Sequence, residues 1–234
     1  MIGIIGAMSV EVEILLENMK DLEKVTVHGR DFYKGKINEK SVVVAQCGIG
    51  KVAAAVCTQT LIDLFKVDCI INTGIAGGVA DGLKIGDVVV STYAVQHDFN
   101  VTPFGYARGY MCTGDDKSRP TQYKADESLV KIVFKNAKET LKENNAHKGI
   151  IATGDLFVAD SQTKKKIKEL FNAHATEMEG GAIAQTCVLN ETPFVIIRAI
   201  SDLADGSASE NYEIFETKAA NNCANLVLSC LKDM

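Results

Sequence analysis

A chain of 234 residues, 47% hydrophobic and 24% charged, is long enough to bury a sizeable core within one domain. Its formal net charge of −5 is spread along the sequence, with Lys164-Lys165-Lys166 as the compact basic cluster; this argues against nucleic acid, whose backbone calls for a broad basic surface. The seven cysteines are odd in number, no CxxC pair occurs, and His28, His97, His147 and His174 lie far apart, so neither a disulfide framework nor a metal site is expected.

In chain order, residues 2–6 read as a buried strand, and Ser9 can cap a helix whose apolar Val12, Leu15, Leu16 and Met19 recur at helical spacing. The apolar run 2–7 lacks a basic leader and reaches Glu11 too soon for a signal peptide or membrane span. A cytoplasmic protein with no membrane partner is expected. Residues 25–47 alternate apolar and polar around His28-Gly29-Arg30 and Ile37-Asn38-Glu39, the pattern of an antiparallel meander.

An Ala-rich helix follows over 51–65, and the apolar run 67–72 predicts a strand entering a glycine loop at 73–78. After another strand at 87–91, residues 96–124 form a polar, Gly-, Asp- and Thr-rich stretch with several aromatics, the kind of long loop that usually carries function. A helix near 126–143, a strand at 149–153, a lysine-rich helix from Ser161, a strand ending at Glu177 and a small-residue helix from Gly180 come next. A strand at 194–200, a loop at 201–209 and a final helix complete the alternation. The expected fold is a single α/β domain, 1–234, with a mixed central sheet flanked by helices and its ligands at strand ends.

Four segments put polar groups at such ends: 8–11, 72–78, 176–179 and 198–202. Glu11, in the first turn of a helix, either stabilises the helix end or turns inward as a carboxyl group with a raised pKa. Arg198 and Asp202, four apart, form either a salt bridge or part of a site. Glu177 and Glu179 share a face if extended, which requires a ligand or cation between them, or else they are exposed at a helix start. Gly74, Gly77 and Gly78 permit close approach of the backbone to a ligand. Gly3 and Gly6 do not complete GxGxxG, and Gly50-Lys51 lacks P-loop spacing.

Taken together, the segments 3–8 (GIIGAM), 48–52 (GIGKV), 71–74 (INTG), Gly154-Asp155, Glu177-Met178-Glu179 and 198–202 (RAISD) resemble the 5′-methylthioadenosine/S-adenosylhomocysteine nucleosidases of the purine nucleoside and uridine phosphorylase superfamily, nearly end to end. The resemblance implies a nucleoside phosphorylase-like fold with a partly barrel-like sheet, a homodimer, no cofactor, and hydrolysis of the N-glycosidic bond of methylthioadenosine, S-adenosylhomocysteine or 5′-deoxyadenosine in methionine salvage and methyl-cycle recycling. Carried over by position, Asp202 is the acid that protonates adenine N7, with Ser201 beside it, and Glu11 activates the attacking water. Met178 and Glu179 hold the ribose hydroxyls, with Arg198 and Glu177 in support. Phe157 stacks on adenine and the Val158 backbone reads its edge; Ala76, Gly77 and Ala204 also belong to the substrate-contacting set. Met8, Ile49 and Tyr212 form the apolar 5′-pocket, completed by Val101 and Phe104 from the neighbouring subunit.

Two positions depart from the family pattern: Ile75 replaces a serine near the attacking water, and Tyr212 a phenylalanine. Chemically, adenine is a poor anionic leaving group, so Asp202 must carry a proton near neutral pH, and Glu179 must favour the oxocarbenium character of the ribose. Three alternatives stand beside this reading: a phosphorylase of the same superfamily, a futalosine-type nucleosidase with a larger 5′-group, and a non-catalytic nucleoside-binding protein.

Overall fold

A computed structural model describes residues 1–114, 116–141 and 145–234. Strand β1 (Ile2–Gly6) leads into helix α1 (Ser9–Glu17) and then the expected meander, β2 (Lys20–Val27), β3 (Arg30–Ile37) and β4 (Lys40–Gln46). Both meander turns have positive φ at their two central residues, His28 and Gly29, then Asn38 and Glu39. This is the hairpin geometry whose twist matches antiparallel strands.

The chain continues through α2 (Lys51–Phe65), β5 (Cys69–Gly78) and β6 (Val88–Gln96), then a 3-10 turn (Thr102–Phe104) and the short β7 (Tyr123–Lys124). It finishes with α3 (Glu127–Thr140), β8 (Ala146–Thr153), α4 (Ser161–Phe171), β9 (Ala173–Glu177), α5 (Gly180–Leu189), β10 (Phe194–Asp202) and α6 (Ala208–Asp233).

The mixed sheet runs β10-β6-β8-β9-β5-β1-β4-β3-β2, and β10 also pairs with β5. That second pairing closes β5, β10, β6, β8 and β9 into a ring, while β1, β4, β3 and β2 extend from it as an open wing. Strand β5 lies between β1 and β10, parallel to both, and from Ile70 to Gly78 it is buried. Every residue of β10 is buried too, as expected of strands covered on both faces. Helix α6 lays Ala219, Ala220, Cys223, Ala224, Val227 and Leu231 into the same core; small residues here let the helix approach the sheet closely.

Three local expectations change. Ser9 is the first helical residue and not the cap, which is Met8; Glu11 instead reaches back to accept the Met8 N–H at 3.0 Å, half of a capping box. The stretch 73–78 is strand β5 itself and not a loop, because its glycines are extended and paired with β9 and β10. Helix α3 ends at Thr140, and the part of the expected helix at 142–143 lies outside the described residues.

Candidate active site

Glu11 is buried under the end of β1. Its carboxylate accepts three backbone N–H groups, from Ala7 at 2.6 Å, Met8 at 3.0 Å and Ile75 at 3.1 Å. Burial pushes its pKa up, against the pull of the Arg198 guanidinium and of these N–H groups. Gly74 makes the room: a Cβ there would lie 2.5 Å from Glu11 Oε1.

Arg198, on β10 opposite Gly74, is fully enclosed and donates to Glu177 Oε2 at 2.5 Å and to Asn72 Oδ1 at 2.7 Å. It does not pair with Asp202. Glu177 also accepts the N–H groups of Glu179 and Gly180, at 3.2 and 2.7 Å, and a short hydrogen bond from the Thr153 hydroxyl. The cation demanded by the Glu177/Glu179 pair is therefore Arg198, and neither glutamate is exposed. With Glu177 satisfied, Glu179 is left facing the cavity with one backbone donor, Gly50 N–H at 2.8 Å. Burial and then the neighbouring Glu177 push it up to about 7.

Asp202 ends β10. The register slips between Ile200 and Asp202, so that Asp202 faces Gly77 across the strand pair, a bulge of the kind that re-aims side chains at sites. Its carboxyl group accepts the Ser201 hydroxyl at 2.9 Å and the Ala204 N–H at 2.8 Å. Ala204 takes a positive φ to deliver that N–H. Burial raises the Asp202 pKa, opposed by these two donors. Gly77 again makes room, since a Cβ there would sit 2.9 Å from Asp202 Oδ1.

Gly74 and Gly77 are three residues apart on β5, so the two carboxyl groups rest against different positions of the same strand. Between them lies a cavity of about 530 Å³, lined by Glu11, Glu179, Asp202 and most of the expected residues: Met8, Ile49, Ile75, Ala76, Gly77, Phe157, Val158, Glu177, Met178, Ser201 and Tyr212. Arg198 and Ala204 lie behind this lining and act on Glu177 and Asp202 from there. Val101 and Phe104 are away from the cavity, and Phe104 is 78% exposed. Leu156, Ser209 and Glu213 line it without having been singled out in the sequence, and nothing local marks them; Thr176 lines it from the segment 176–179 already marked there. The phenol of Tyr212 reaches Met8 Sδ at 3.2 Å, and its ring meets Phe157 edge-on at 5.5 Å.

The sequence profile of the phosphorylase superfamily matches residues 1–232. A curated 5′-methylthioadenosine/S-adenosylhomocysteine nucleosidase from Actinobacillus succinogenes is 43% identical over 234 residues, covering 100% of this chain and 99% of that one. The chain belongs to this nucleosidase family of the phosphorylase superfamily. Among solved structures, the corresponding nucleosidase from Neisseria meningitidis, in complex with methylthio-immucillin-A, superposes with a TM-score of 0.93 at 41% identity, covering 100% and 99% of the two chains. A futalosine hydrolase mutant of Helicobacter pylori gives a TM-score of 0.91 at 32% identity, covering 100% and 99%. Within the family, the polar groups of this nucleosidase site come from the carboxyl ends of β1, β5, β9 and β10, where open α/β sheets collect their ligands.

Proposed function

We infer that the protein hydrolyses the N-glycosidic bond of 5′-methylthioadenosine and S-adenosylhomocysteine, releasing adenine and the 5-thio-substituted ribose. The observation that carries this reading is the pair of buried carboxyl groups, Glu11 and Asp202, at the two ends of one cavity with Glu179 beside them. Asp202, its pKa raised by burial, holds the proton that adenine N7 receives as the C1′–N9 bond stretches. Glu11 takes a proton from the water that adds to C1′. The cavity of about 530 Å³ that both groups line leaves room for that water, the sugar and the purine.

Glu179 holds the ribose hydroxyls, and its negative charge favours the oxocarbenium-like sugar. Arg198 and Glu177 keep it in place from behind, and Met178 completes the sugar wall. Phe157 stacks on adenine, while Met8, Ile49 and Tyr212 enclose the 5′-thioether. Ile75 offers the water only an apolar side chain, its N–H being used on Glu11.

Hydrolysis is favoured over phosphorolysis by the charge of the cavity. Five carboxyl groups line it, Glu11, Glu177, Glu179, Asp202 and Glu213, and none of the lining residues is a lysine or arginine. Phosphate dianion would meet repulsion there, whereas water does not. We propose also that a second copy of the chain completes the 5′-pocket with Val101 and Phe104, a role supported by the outward-facing Phe104 ring. A cytoplasmic address suits the seven free thiols, five of them buried in the core.

The reading is tested by adenine release from methylthioadenosine in phosphate-free buffer, with the sugar product followed by NMR. Free 5-methylthioribose, at a rate unchanged by added phosphate, is expected. A ribose 1-phosphate and a phosphate-dependent rate would establish the phosphorylase instead, and preferential turnover of futalosine in competition would establish the futalosine hydrolase.

A further inference from the structure

Two residues of the motifs read in the sequence, Lys51 at the start of α2 and Asp155 after β8, have no part in the chemistry above. The fold brings them together. Lys51 N–H donates to Asp155 Oδ1 at 2.9 Å, Asp155 N–H donates to Asp98 Oδ2 at 3.0 Å, and Lys51 Nζ donates to Asp98 Oδ1 at 2.7 Å. The three residues thus close a ring of hydrogen bonds built from segments about 50 to 100 positions apart in the chain.

Two of the three members, Lys51 and Asp155, lie within two residues of the nucleoside site, and Asp98 joins them. Lys51 follows Gly50, whose N–H is the backbone donor to Glu179, and Gly50 follows Ile49 of the cavity wall. Asp155 stands two residues before Phe157. Gly50 has φ +95°, a conformation L side chains rarely adopt, and a Cβ there would lie 3.1 Å from Asp155 Oδ1. The preceding step of the turn is held separately, by Arg30, which donates to the carbonyls of Cys47 and Ala53 at 3.0 Å. The Lys51 N–H belongs to the peptide that follows Gly50, whose carbonyl also accepts the Ala54 N–H at 3.1 Å, so the ring and the first turn of α2 together hold the residue that presents its N–H to Glu179.

We propose that Lys51, Asp98 and Asp155 are positioning residues, a clamp that holds the Gly50 N–H on Glu179 and so keeps that carboxylate aimed and charged for the ribose hydroxyls. The clamp is half shielded: Lys51 and Asp98 side chains are 19% and 28% exposed. Burial pushes the Asp98 carboxyl up, yet the Lys51 ammonium and the Asp155 N–H hold it below the usual carboxylate range, so the ring stays ionic across the working pH of the site. Around Glu179 the other charged groups are Glu177 on β9, Arg198 on β10 and Glu11 on α1. All three are anchored independently of the clamp, so releasing the clamp removes one donor and leaves the rest. Without that donor the Glu179 carboxylate is harder to form.

The inference rests on the assignment of Glu179 to the ribose, and the test separates the two. Adenine release from methylthioadenosine is measured between about pH 5 and 9 for wild type, Lys51→Met, Asp98→Asn, Lys51→Arg, Glu179→Gln and Lys168→Ala, with Tm recorded for each. Lys168 pairs with Asp81 at the surface, away from the cavity lining, and serves as the control. Loss of one hydrogen bond to a charged group predicts a KM raised about tenfold in Lys51→Met and Asp98→Asn, with kcat within about threefold. The acid limb of kcat/KM moves to higher pH in both, Lys51→Arg restores most of the loss, and Lys168→Ala matches wild type. If Glu179→Gln raises KM while Lys51→Met and Asp98→Asn keep the wild-type KM and acid limb, the clamp is overturned and the ribose assignment stands. If Glu179→Gln leaves KM unchanged, the ribose assignment fails and the clamp with it. A lowered Tm with an unmoved pH profile reduces the ring to a fold support and also overturns it.

Discussion

At the scale of single residues, the site concentrates carboxyl groups whose burial opposes ionisation, and the folded protein bears that cost. Burial and the neighbouring Glu177 push Glu179 up to about 7, from about 4.3 in an unfolded chain. Between these values the folded state holds the proton, so this group's contribution to stability is full below the unfolded pKa and is lost as pH rises through about 7. Glu11 and Asp202 are shifted in the same direction. Glu179→Gln therefore raises the Tm of the ligand-free protein by about 4 °C at pH 8 and leaves it unchanged at pH 4, while lowering kcat/KM. Thermal unfolding at the two pH values checks this. The three carboxyl residues proposed as acid, base and ribose contact could be picked out in the sequence as candidates, because a carboxyl group at a strand or helix end is visible there, and the structure places all three at one cavity. Their partners were not. That Arg198 serves Glu177 and not Asp202, and that Gly50 serves Glu179, depends on pairings across 21 and 129 positions, which no local pattern encodes.

At the scale of elements, β5 acts as the spacer of the site. Two of its three glycines leave space for the protein's own carboxyl groups, Gly74 for Glu11 and Gly77 for Asp202; the sequence suggested close approach of the backbone to a ligand instead. Gly74→Ala would drive a methyl group against the Glu11 carboxylate inside a strand held on both sides. It is expected to lower kcat/KM by about a hundredfold through displacement of the base, with far-ultraviolet circular dichroism retained. Gly29→Ala, in an open hairpin turn with φ +77° and nothing within 4 Å, should leave kcat/KM unchanged and cost about 1 kcal/mol of stability. Most elements were legible from periodicity and turn chemistry, the meander above all. The glycine run at 73–78 misled because glycine signals a turn locally, while its extension as strand follows from pairing with β9 and β10.

At the scale of the whole molecule, the strand order brings β5, β9 and β10 of the closed ring and the adjoining β1 to one mouth, which periodicity alone could not reveal; the resemblance across six separated segments supplied it. The same scale holds the proposed exchange of Val101 and Phe104 between subunits. If Phe104 acts across an interface, Asp202→Asn and Phe104→Asp proteins, each weak alone, form mixed dimers with one intact site. Co-refolding them should recover about a quarter of wild-type activity per total site by random pairing, and no recovery would place Phe104 outside the neighbouring site. The central claim, that Asp202 supplies the proton for adenine departure opposite Glu11, is tested most directly by adenine release from saturating methylthioadenosine, comparing wild type with Asp202→Asn after calorimetry has verified nucleoside binding by both. A kcat lowered by about 10²- to 10⁴-fold with Kd little changed is the predicted result, and equal turnover by the two proteins would contradict it.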